Sequence, residues 1–395
     1  MRQLLISEIL EECLSKASLF HDKEALSSRF YPNELPHREE QLSAIIRSLT
    51  PAIKGEGTNN LFIYGQPGTG KTAAMTLVGS KIMERAGDNV VVISINCRMG
   101  KVADTEYRLL AEISRQLGRE VPATGLPTQE VYSIFFRLLE EKSKTLILIL
   151  DEIDVLLDKC GDGFLYNLTR INETLSDSRV CIVGISNNLL FSDYLDPRTK
   201  SSLCEEKVLF QPYDAAQLRD ILSERAAFCE GVIGQGVIEK CAALAAQEHG
   251  DARRAMNLLR AAGEIAENAG HQAVMEIHVD AAKRKLDFDC LSNAVKTQPK
   301  HGKAVIMSLI SLKEKGVDKI QTGDLYSTYQ RVCKQLSLEH LTPRRVYGIT
   351  GELEMQGLMT TKVVNKGRYG RTRHIELSVN DETLGTIKGA LSEYC

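Results

Sequence analysis

One stretch decides the fold: Gly65-Gln66-Pro67-Gly68-Thr69-Gly70-Lys71-Thr72. It is a complete GxxxxGK[ST] loop, in which glycines let backbone N–H groups turn inward around a phosphate. The apolar run at residues 61–64 predicts a strand before the loop, and the spacing of residues 71–86 predicts a helix after it. The positive end of that helix is then directed at the bound phosphates.

Strands and helices alternate beyond this loop. The predicted strands are residues 90–95, 145–150 and 180–186, and the predicted helices are residues 105–117, 128–142 and 163–175. Continuous apolar strands that alternate with helices are typical of a parallel sheet covered on both faces. The fold class is therefore an α/β P-loop core.

Two further segments follow this core. From Asp214 the pattern predicts helices alone, at residues 215–227, 235–248, 252–268 and 278–286. After Asp287 come three helices and a β-hairpin, at residues 358–364 and 371–379. We therefore predict a nucleotide-binding base domain with an N-terminal extension (1–205), an α-helical lid (206–288) and a C-terminal winged helix (289–395).

A second phosphate-site element follows the apolar run at residues 146–150, which ends in Asp151-Glu152. An Asp-Glu pair after a buried strand is a weak signal alone, but beside the phosphate-binding loop it predicts ATP hydrolysis. Lys71 is expected to contact the β- and γ-phosphates, Thr72 and Asp151 to bind Mg²⁺, and Glu152 to orient or deprotonate the attacking water.

Three more polar residues fit this chemistry. Asn187 ends a predicted strand, Arg198 lies on a turn where it can reach a neighbouring subunit's nucleotide, and Arg253 begins a lid helix. Each has a plain structural interpretation as a strand terminus, a surface turn or a helix start. Their order after the two phosphate elements favours the catalytic interpretation.

The C-terminal third is basic, although the whole chain has a net charge of −3. Residues 296–376 contain 15 Lys/Arg against 7 Asp/Glu, which indicates a polyanionic partner at this end. Thr342 is expected to cap a recognition helix that begins at Pro343. We expect duplex DNA to contact this helix and the β-hairpin that follows it, which forms the wing. The predicted contacts are Thr342, Arg344, Arg345, Lys362, Lys366, Arg368, Tyr369, Arg371 and Arg373.

Taken together, these motifs resemble an archaeal initiator of the origin recognition complex and cell division control protein six family, within the AAA+ ATPases. The resemblance spans nearly the whole chain, from Tyr31-Pro32-Asn33-Glu34-Leu35-Pro36-His37-Arg38 to the wing. Residues 184–187 resemble its sensor 1, residues 195–203 its arginine-finger box and residues 250–255 its sensor 2. Residues 115–129, with Gly125, resemble its DNA-contacting insertion.

This resemblance implies a switch driven by slow ATP hydrolysis. The implied nucleotide-binding residues are Tyr31, Leu35, Arg38, Gly65, Gln66, Pro67, Gly68, Thr69, Gly70, Lys71, Thr72, Ala73, Tyr213, Arg225 and Arg253, with ATP or ADP and Mg²⁺ as cofactors. It also implies origin DNA and a replicative helicase as partners, self-association or paralogous initiators on DNA, and a cytoplasmic, nucleoid-associated protein.

Composition narrows the remaining classes. Ten scattered cysteines form no CxxC pair, and no apolar run approaches the length of a membrane span, which disfavours zinc sites, disulfide frameworks and membrane spans. Two alternatives stay open: a nucleotide-responsive winged-helix transcription regulator, and a clamp-loader-like or transposition ATPase acting through protein partners.

Overall fold

The computed structural model describes residues 19–20, 22–27, 30, 32–56, 59–99, 103–122, 124–203, 205–229, 232–317, 320–365, 371–377 and 391. The chain divides into two compact units, Met1–Val279 and Asp280–Cys395. The pattern of residues 4–19 predicts a helix in the N-terminal extension, and apart from Leu19 this segment lies outside the described residues.

A parallel sheet forms the centre of the first unit. Its strands are β1 (Asn60–Gly65), β2 (Val90–Asn96), β3 (Thr145–Asp151), β4 (Arg179–Ser186) and β5 (Glu205–Phe210), in the spatial order β2-β3-β4-β1-β5. Every neighbouring pair is parallel. Because β4 lies between β3 and β1, the strand order reverses beside β1. Such a switch point opens a crevice at the carboxyl ends of the strands.

Helices cover both faces of this sheet. One face carries α1 (Glu39–Ile53) and α2 (Lys71–Ala86), and the other carries α3 (Glu106–Gln116), α4 (Thr128–Lys142), α5 (Ile153–Cys160) and α6 (Gly163–Arg170). On β3, Leu146, Leu148 and Leu150 face the second group of helices, whereas Ile147 and Ile149 face the first. This two-sided burial explains why the sequence of β3 is apolar at successive positions.

A helical lid follows the sheet. The short helix α7 (Pro197–Leu203) leads into β5, after which come α8 (Ala215–Cys229), α9 (Val237–Gln247) and α10 (Ala252–Asn268). The described residues between 19 and 30 include a 3₁₀ turn, Glu24–Leu26, that packs on α8 and α10. Helix α11 (Glu276–Lys296) begins in the first unit and continues into the second.

The second unit is a winged helix. Its further elements are α12 (Lys300–Glu314), β6 (Ile320–Gln321), α13 (Thr322–Gln335), α14 (Pro343–Met355), β7 (Met359–Asn365) and β8 (Arg371–Leu377). The strands form an antiparallel sheet in the order β6-β8-β7. The helices and this sheet share one hydrophobic core, which includes Val305, Leu309, Val346 and Ile375.

The strand β5 is the main difference from the sequence-based prediction. It pairs with β1 along its whole length, so the sheet continues five residues beyond the predicted end of the base domain at residue 205. Its first residues, Glu205, Glu206 and Lys207, are charged because β5 is an edge strand. Because these residues are polar, the hydrophobic pattern did not predict the strand.

Candidate nucleotide site and DNA-binding surface

The phosphate-binding loop lies between β1 and α2, at the switch point of the sheet. Gly68 and Gly70 have φ angles of +73° and +94°, which side-chain-bearing residues rarely adopt. Space is also restricted, since a Cβ at Gly68 would lie 1.7 Å from Oδ1 of Asp251. A Cβ at Gly70 would lie 2.9 Å from the hydroxyl of Tyr213. Both glycines therefore allow residues beyond β5 to approach the loop backbone.

Lys71 is held at the base of this loop. Its ammonium donates to the carbonyls of Gly65 (2.7 Å) and Gln66 (2.8 Å) and to Oδ1 of Asn187 (2.9 Å). Burial lowers the pKa of Lys71 to about 8, an effect that Asp151 partly opposes. The predicted sensor residue at the end of β4 thus contacts the predicted phosphate-binding lysine directly.

The predicted Mg²⁺ ligands also meet. The Thr72 hydroxyl donates to Oδ2 of Asp151 at 3.0 Å. Asp151 is buried, and this burial raises the pKa of its carboxyl, an effect that the Thr72 hydrogen bond opposes. Glu152 has a left-handed backbone, with φ +55°, and its Oε2 lies 3.7 Å from Nη1 of Arg98. Two carboxylates and a hydroxyl therefore stand at one end of the crevice.

The first turn of α10 completes the site from the lid. Asp251 caps this helix by accepting from the backbone N–H groups of Arg253 (2.7 Å) and Arg254 (3.3 Å). The N–H of Ala252 donates to the carbonyl of Gly68 at 3.2 Å. The lid helix is thereby hydrogen-bonded to the phosphate-binding loop itself, and the exposed Arg253 side chain lines the same cavity.

A cavity of about 200 Å³ connects these groups. Its polar lining residues include Lys71, Thr72, Asp151, Glu152, Asn187 and Arg253, and its apolar lining residues include Phe30, Pro32, Leu35, Pro36, Ile221 and Met256. A nucleotide has the same division, with a charged phosphate chain at one end and a flat, largely apolar base at the other. The arrangement therefore suits a nucleotide better than a free phosphate.

The second unit presents a basic surface of its own. Arg344 and Arg345 are exposed in the first turn of α14, and Lys362 and Arg373 are exposed on the hairpin. Thr342 occupies the predicted N-cap position, although its hydroxyl makes no capping hydrogen bond. Pro343 at the first helical position removes one N–H that would otherwise need a partner.

Comparison with known proteins agrees with this architecture. Residues 54–187 match the model of an AAA domain, residues 219–284 that of the Cdc6 AAA+ ATPase-type lid domain, and residues 293–386 that of the CDC6 C-terminal winged helix domain. The ORC1-type DNA replication protein of Thermococcus onnurineus is 48% identical over 95% of this chain and 92% of its own. That of Pyrococcus furiosus is 46% identical over 98% and 93%.

The chain belongs to the Cdc6/ORC1-type family of DNA replication proteins.

A solved family structure has the same fold over nearly the full length. The Aeropyrum pernix ORC1 protein, solved in complex with DNA, is 42% identical, covers 95% of this chain and 97% of its own, and superimposes with a TM-score of 0.82. This chain therefore has the AAA+ ATPase fold. Membership supports the replication-initiator interpretation over the alternative of a transcription regulator.

Most residues of the family nucleotide motif line the cavity. They are Leu35, Pro67, Gly68, Thr69, Gly70, Lys71, Thr72, Ala73, Tyr213, Arg225 and Arg253, and Tyr31 lies outside the described residues. Gly65 and Gln66 do not line it but supply the carbonyls that hold Lys71.

Arg38 has a different position from the one expected of a nucleotide ligand. It is buried, and its guanidinium donates to the carbonyls of Thr69 (3.0 Å) and Gln211 (2.6 Å). The guanidinium carbon also lies 3.8 Å from the ring centre of Tyr213. Arg38 therefore fastens the phosphate-binding loop to the start of the lid, and it is not among the described residues that line the cavity.

Arg198 lies apart from this cavity. It is exposed at the start of α7, where its backbone N–H donates to Oδ1 of Asp196 at 2.8 Å. A separate surface depression contains it together with Tyr166 and Arg170. The position leaves its guanidinium accessible to another molecule, as the arginine-finger interpretation requires.

Two site residues escaped the sequence reasoning. Asp251 was visible only as part of the Gly-Asp-Ala-Arg motif, and its approach to Gly68 depends on how the lid packs. Arg98 follows β2 without any motif of its own, although β2 and β3 are neighbours and their carboxyl ends meet.

Residues 117–127, in the predicted DNA-contacting insertion, contain no helix among the described residues.

In the part of the chain that the structure describes, no helix combines the length and apolarity needed to cross a bilayer.

Proposed function

We propose that this chain is a switch-like ATPase that binds origin DNA and, in its ATP-bound state, recruits a replicative helicase. The single observation that carries the nucleotide part is the convergence of Lys71, Thr72, Asp151 and Asn187 in one cavity beside the lid. Nucleotide held between base and lid would fix their relative orientation, and hydrolysis would release it.

The residues present fit a magnesium ion. Thr72 and Asp151 offer a hydroxyl and a buried carboxylate 3.0 Å apart, and hard oxygen donors of this kind are the ligands that Mg²⁺ prefers. When bound, the ion would neutralise charge on the β- and γ-phosphates.

The protein's own groups then divide the hydrolytic work. Lys71 would bind the β- and γ-phosphates, and Asn187 would hold the attacking water. Glu152 would accept a proton from that water as the water oxygen bonds to the γ-phosphorus and the bond from this phosphorus to the bridging oxygen of the departing ADP breaks. Arg253 would neutralise charge on the γ-phosphate from the lid side. Oε2 of Glu152 lies 3.7 Å from Nη1 of Arg98, so this guanidinium would favour the ionised carboxylate that a general base requires.

The proposed DNA contacts are the exposed basic residues of α14 and the hairpin. Arg344 and Arg345 at a helix N-terminus suit entry into a major groove, and Lys362 and Arg373 suit phosphates. For Arg371 only the backbone at the start of β8 is described, and Lys366, Arg368 and Tyr369 lie outside the described residues. The similarity of this chain to the Aeropyrum pernix ORC1 protein, which was solved in complex with DNA, supports this assignment.

Helicase recruitment and self-association complete the proposal. Exposed Arg198 would reach the nucleotide of a neighbouring initiator on DNA, which requires a guanidinium free of the cavity of its own chain. The C-terminal winged-helix match at residues 293–386 supports this function over a clamp-loader-like or transposition ATPase.

The variant Glu152→Gln tests the hydrolytic assignment. We expect it to bind ATP with unchanged affinity but to hydrolyse it at least ~100-fold more slowly, because glutamine cannot accept the proton. Glu224→Gln is the matched control, since Glu224 lines the same cavity but belongs to neither phosphate-site motif, and this variant should retain the wild-type rate at saturating ATP. Equal hydrolysis by Glu152→Gln and wild type would contradict the assigned base.

A further inference from the structure

An N-terminal segment wraps over the lid and reaches the nucleotide cavity. We call the described residues 19–20, 22–27 and 30 the strap. Phe20, Ala25 and Leu26 of the strap are buried, with exposed fractions of 0–1%. Because the turn Glu24–Leu26 packs on α8 and α10, the strap is attached to the lid.

The first attachment point is a glycine in the middle of α10. A Cβ at Gly263 would lie 1.8 Å from Cε2 of Phe20, so the ring rests directly on the helix backbone. Beside it, Glu267 accepts from the backbone N–H of Leu19 at 2.8 Å and from the ammonium of Lys23 at 2.5 Å. Gly263 has ordinary helical backbone angles, so the backbone does not require a glycine at this position. Its missing side chain instead leaves room for the ring of Phe20.

The second attachment point is Arg225 of α8. Its guanidinium donates to the carbonyls of Ala25 and Phe30, both at 3.4 Å, and lies 4.5 Å from the ring centre of Phe30. Phe228, on the next turn of α8, packs on the same ring with 5.8 Å between ring centres. Arg225 is buried, so these contacts are shielded from water.

Between and beyond these points the strap lines the nucleotide cavity. Ser27 and Phe30 line it together with the apolar side chains of Leu35, Ile221 and Met256. The wall that would face a nucleotide base is therefore supplied partly by a segment that the lid carries. Lys71, Asp151 and Asn187, in contrast, come from the phosphate-binding loop and from the ends of β3 and β4.

We propose that Phe20 and Gly263 are positioning residues for adenine-nucleotide binding: the ring of Phe20 on Gly263 anchors the strap, and the strap sets the base-facing wall. This inference rests on the proposed nucleotide site. Neither residue lines the cavity, so both act through Ser27 and Phe30. Loss of the anchor should weaken contacts to the base and leave contacts to phosphate intact.

The variant Gly263→Ala tests the anchor without weakening the lid helix. Alanine has a higher helix propensity than glycine, so α10 itself is not destabilised, but the new methyl group must displace Phe20. Titrations with ADP and with inorganic pyrophosphate then separate the two ends of the cavity. We expect ADP to bind about tenfold more weakly and pyrophosphate to bind as in wild type.

Three further variants define the interpretation. Phe20→Ala should weaken ADP binding similarly, and adding Gly263→Ala to it should have no further effect, because the methyl group then has room. Phe20→Met, which restores apolar volume, should recover most of the affinity. Gly348→Ala is the matched control, a helical glycine in α14 with open space at its Cβ, and should change neither affinity.

The outcomes are separable. An unchanged ADP affinity in Gly263→Ala and Phe20→Ala would overturn the proposal, as would an equal loss of ADP and pyrophosphate binding, which indicates general damage. If wild-type protein binds neither probe, it is the nucleotide site itself that fails.

Discussion

At the scale of one residue, Lys71 shows how hydrogen-bond acceptors hold a charged ammonium group in a buried position. Three oxygen acceptors surround its ammonium, namely the carbonyls of Gly65 and Gln66 and the amide of Asn187. These contacts do not fully replace water, so burial lowers the pKa of Lys71 to about 8. A triphosphate brings negative charge to this ammonium and so raises the pKa again on binding.

This pKa predicts how ADP affinity depends on pH. Below pH 8 the free protein already carries the Lys71 proton, so affinity should stay level between pH 6.5 and pH 7.5. Above pH 8 a proton must be taken up on binding, and affinity should fall up to about tenfold for each pH unit. The ADP phosphates are already ionised above pH 7 and add nothing to this change.

Titrations of ADP at pH 7, 8 and 9 measure the effect. Lys71→Arg provides the control, because a guanidinium keeps its charge throughout this range, and its affinity, though lower, should not vary with pH. An equal decline in wild type and Lys71→Arg would show that another group causes the dependence.

At the scale of the element, the proposed recognition helix α14 is positioned by the helix before it. Leu341, two residues before α14, donates its N–H to the hydroxyl of Tyr329 (3.2 Å) and accepts from the hydroxyl of Tyr326 (3.0 Å). Tyr329 is buried, and its hydroxyl also lies 2.8 Å from Nδ1 of His301. Both backbone groups of Leu341 are therefore held by α13, which fixes where α14 begins.

The variant Tyr329→Phe should loosen this start. It leaves the N–H of Leu341 and Nδ1 of His301 without their shared partner, at a cost of about 1–3 kcal/mol in unfolding free energy. We expect origin-DNA affinity to fall about tenfold towards non-specific affinity, while the salt dependence stays the same because phosphate contacts persist.

Urea denaturation and DNA titration at several salt concentrations measure the two effects. Tyr194→Phe, which alters a 77% exposed tyrosine in the first unit, is the control and should change neither quantity. If the Tyr329→Phe protein is destabilised but keeps its DNA specificity, the hydrogen bonds of Tyr329 do not contribute to DNA recognition.

Elements with strong local signals were predictable from the sequence. The helices at residues 71–86, 128–142 and 252–268 have the predicted bounds, because each combines a clear apolar face with a turn or cap at its start. The edge strand β5 and the two-residue strand β6 were not predicted, since only pairing with β1 and β8 makes them strands. Helix α11 extends ten residues beyond its predicted end at residue 286.

In the candidate site, too, the residues in local motifs were predictable and the contacts that depend on tertiary packing were not. Lys71, Thr72, Asp151 and Asn187 belong to local motifs whose strand ends must meet in a parallel sheet, so their convergence was predictable. Arg38 and Arg225 belong to motifs too, but the direction of a long side chain is decided by tertiary packing. Each holds backbone carbonyls, and the strap that Arg225 holds had no sequence signal at all.

At the scale of the whole molecule, the two proposed activities lie in different units. Every described residue that lines the nucleotide cavity lies between residues 27 and 256, within the first unit. The exposed basic residues proposed to bind DNA lie between residues 344 and 373, within the second. Helix α11 runs from one unit into the other and is the continuous element that joins them.

The account depends most on adenine nucleotide binding in the first unit. Calorimetric titration of ADP into folded protein freed of retained nucleotide tests it directly, with Lys71→Ala measured alongside. We predict one binding site per chain in wild type and none in Lys71→Ala, because the lysine is the cation at the base of the phosphate-binding loop. Folded wild-type protein that binds no ADP, or Lys71→Ala protein that binds it equally well, would contradict the account.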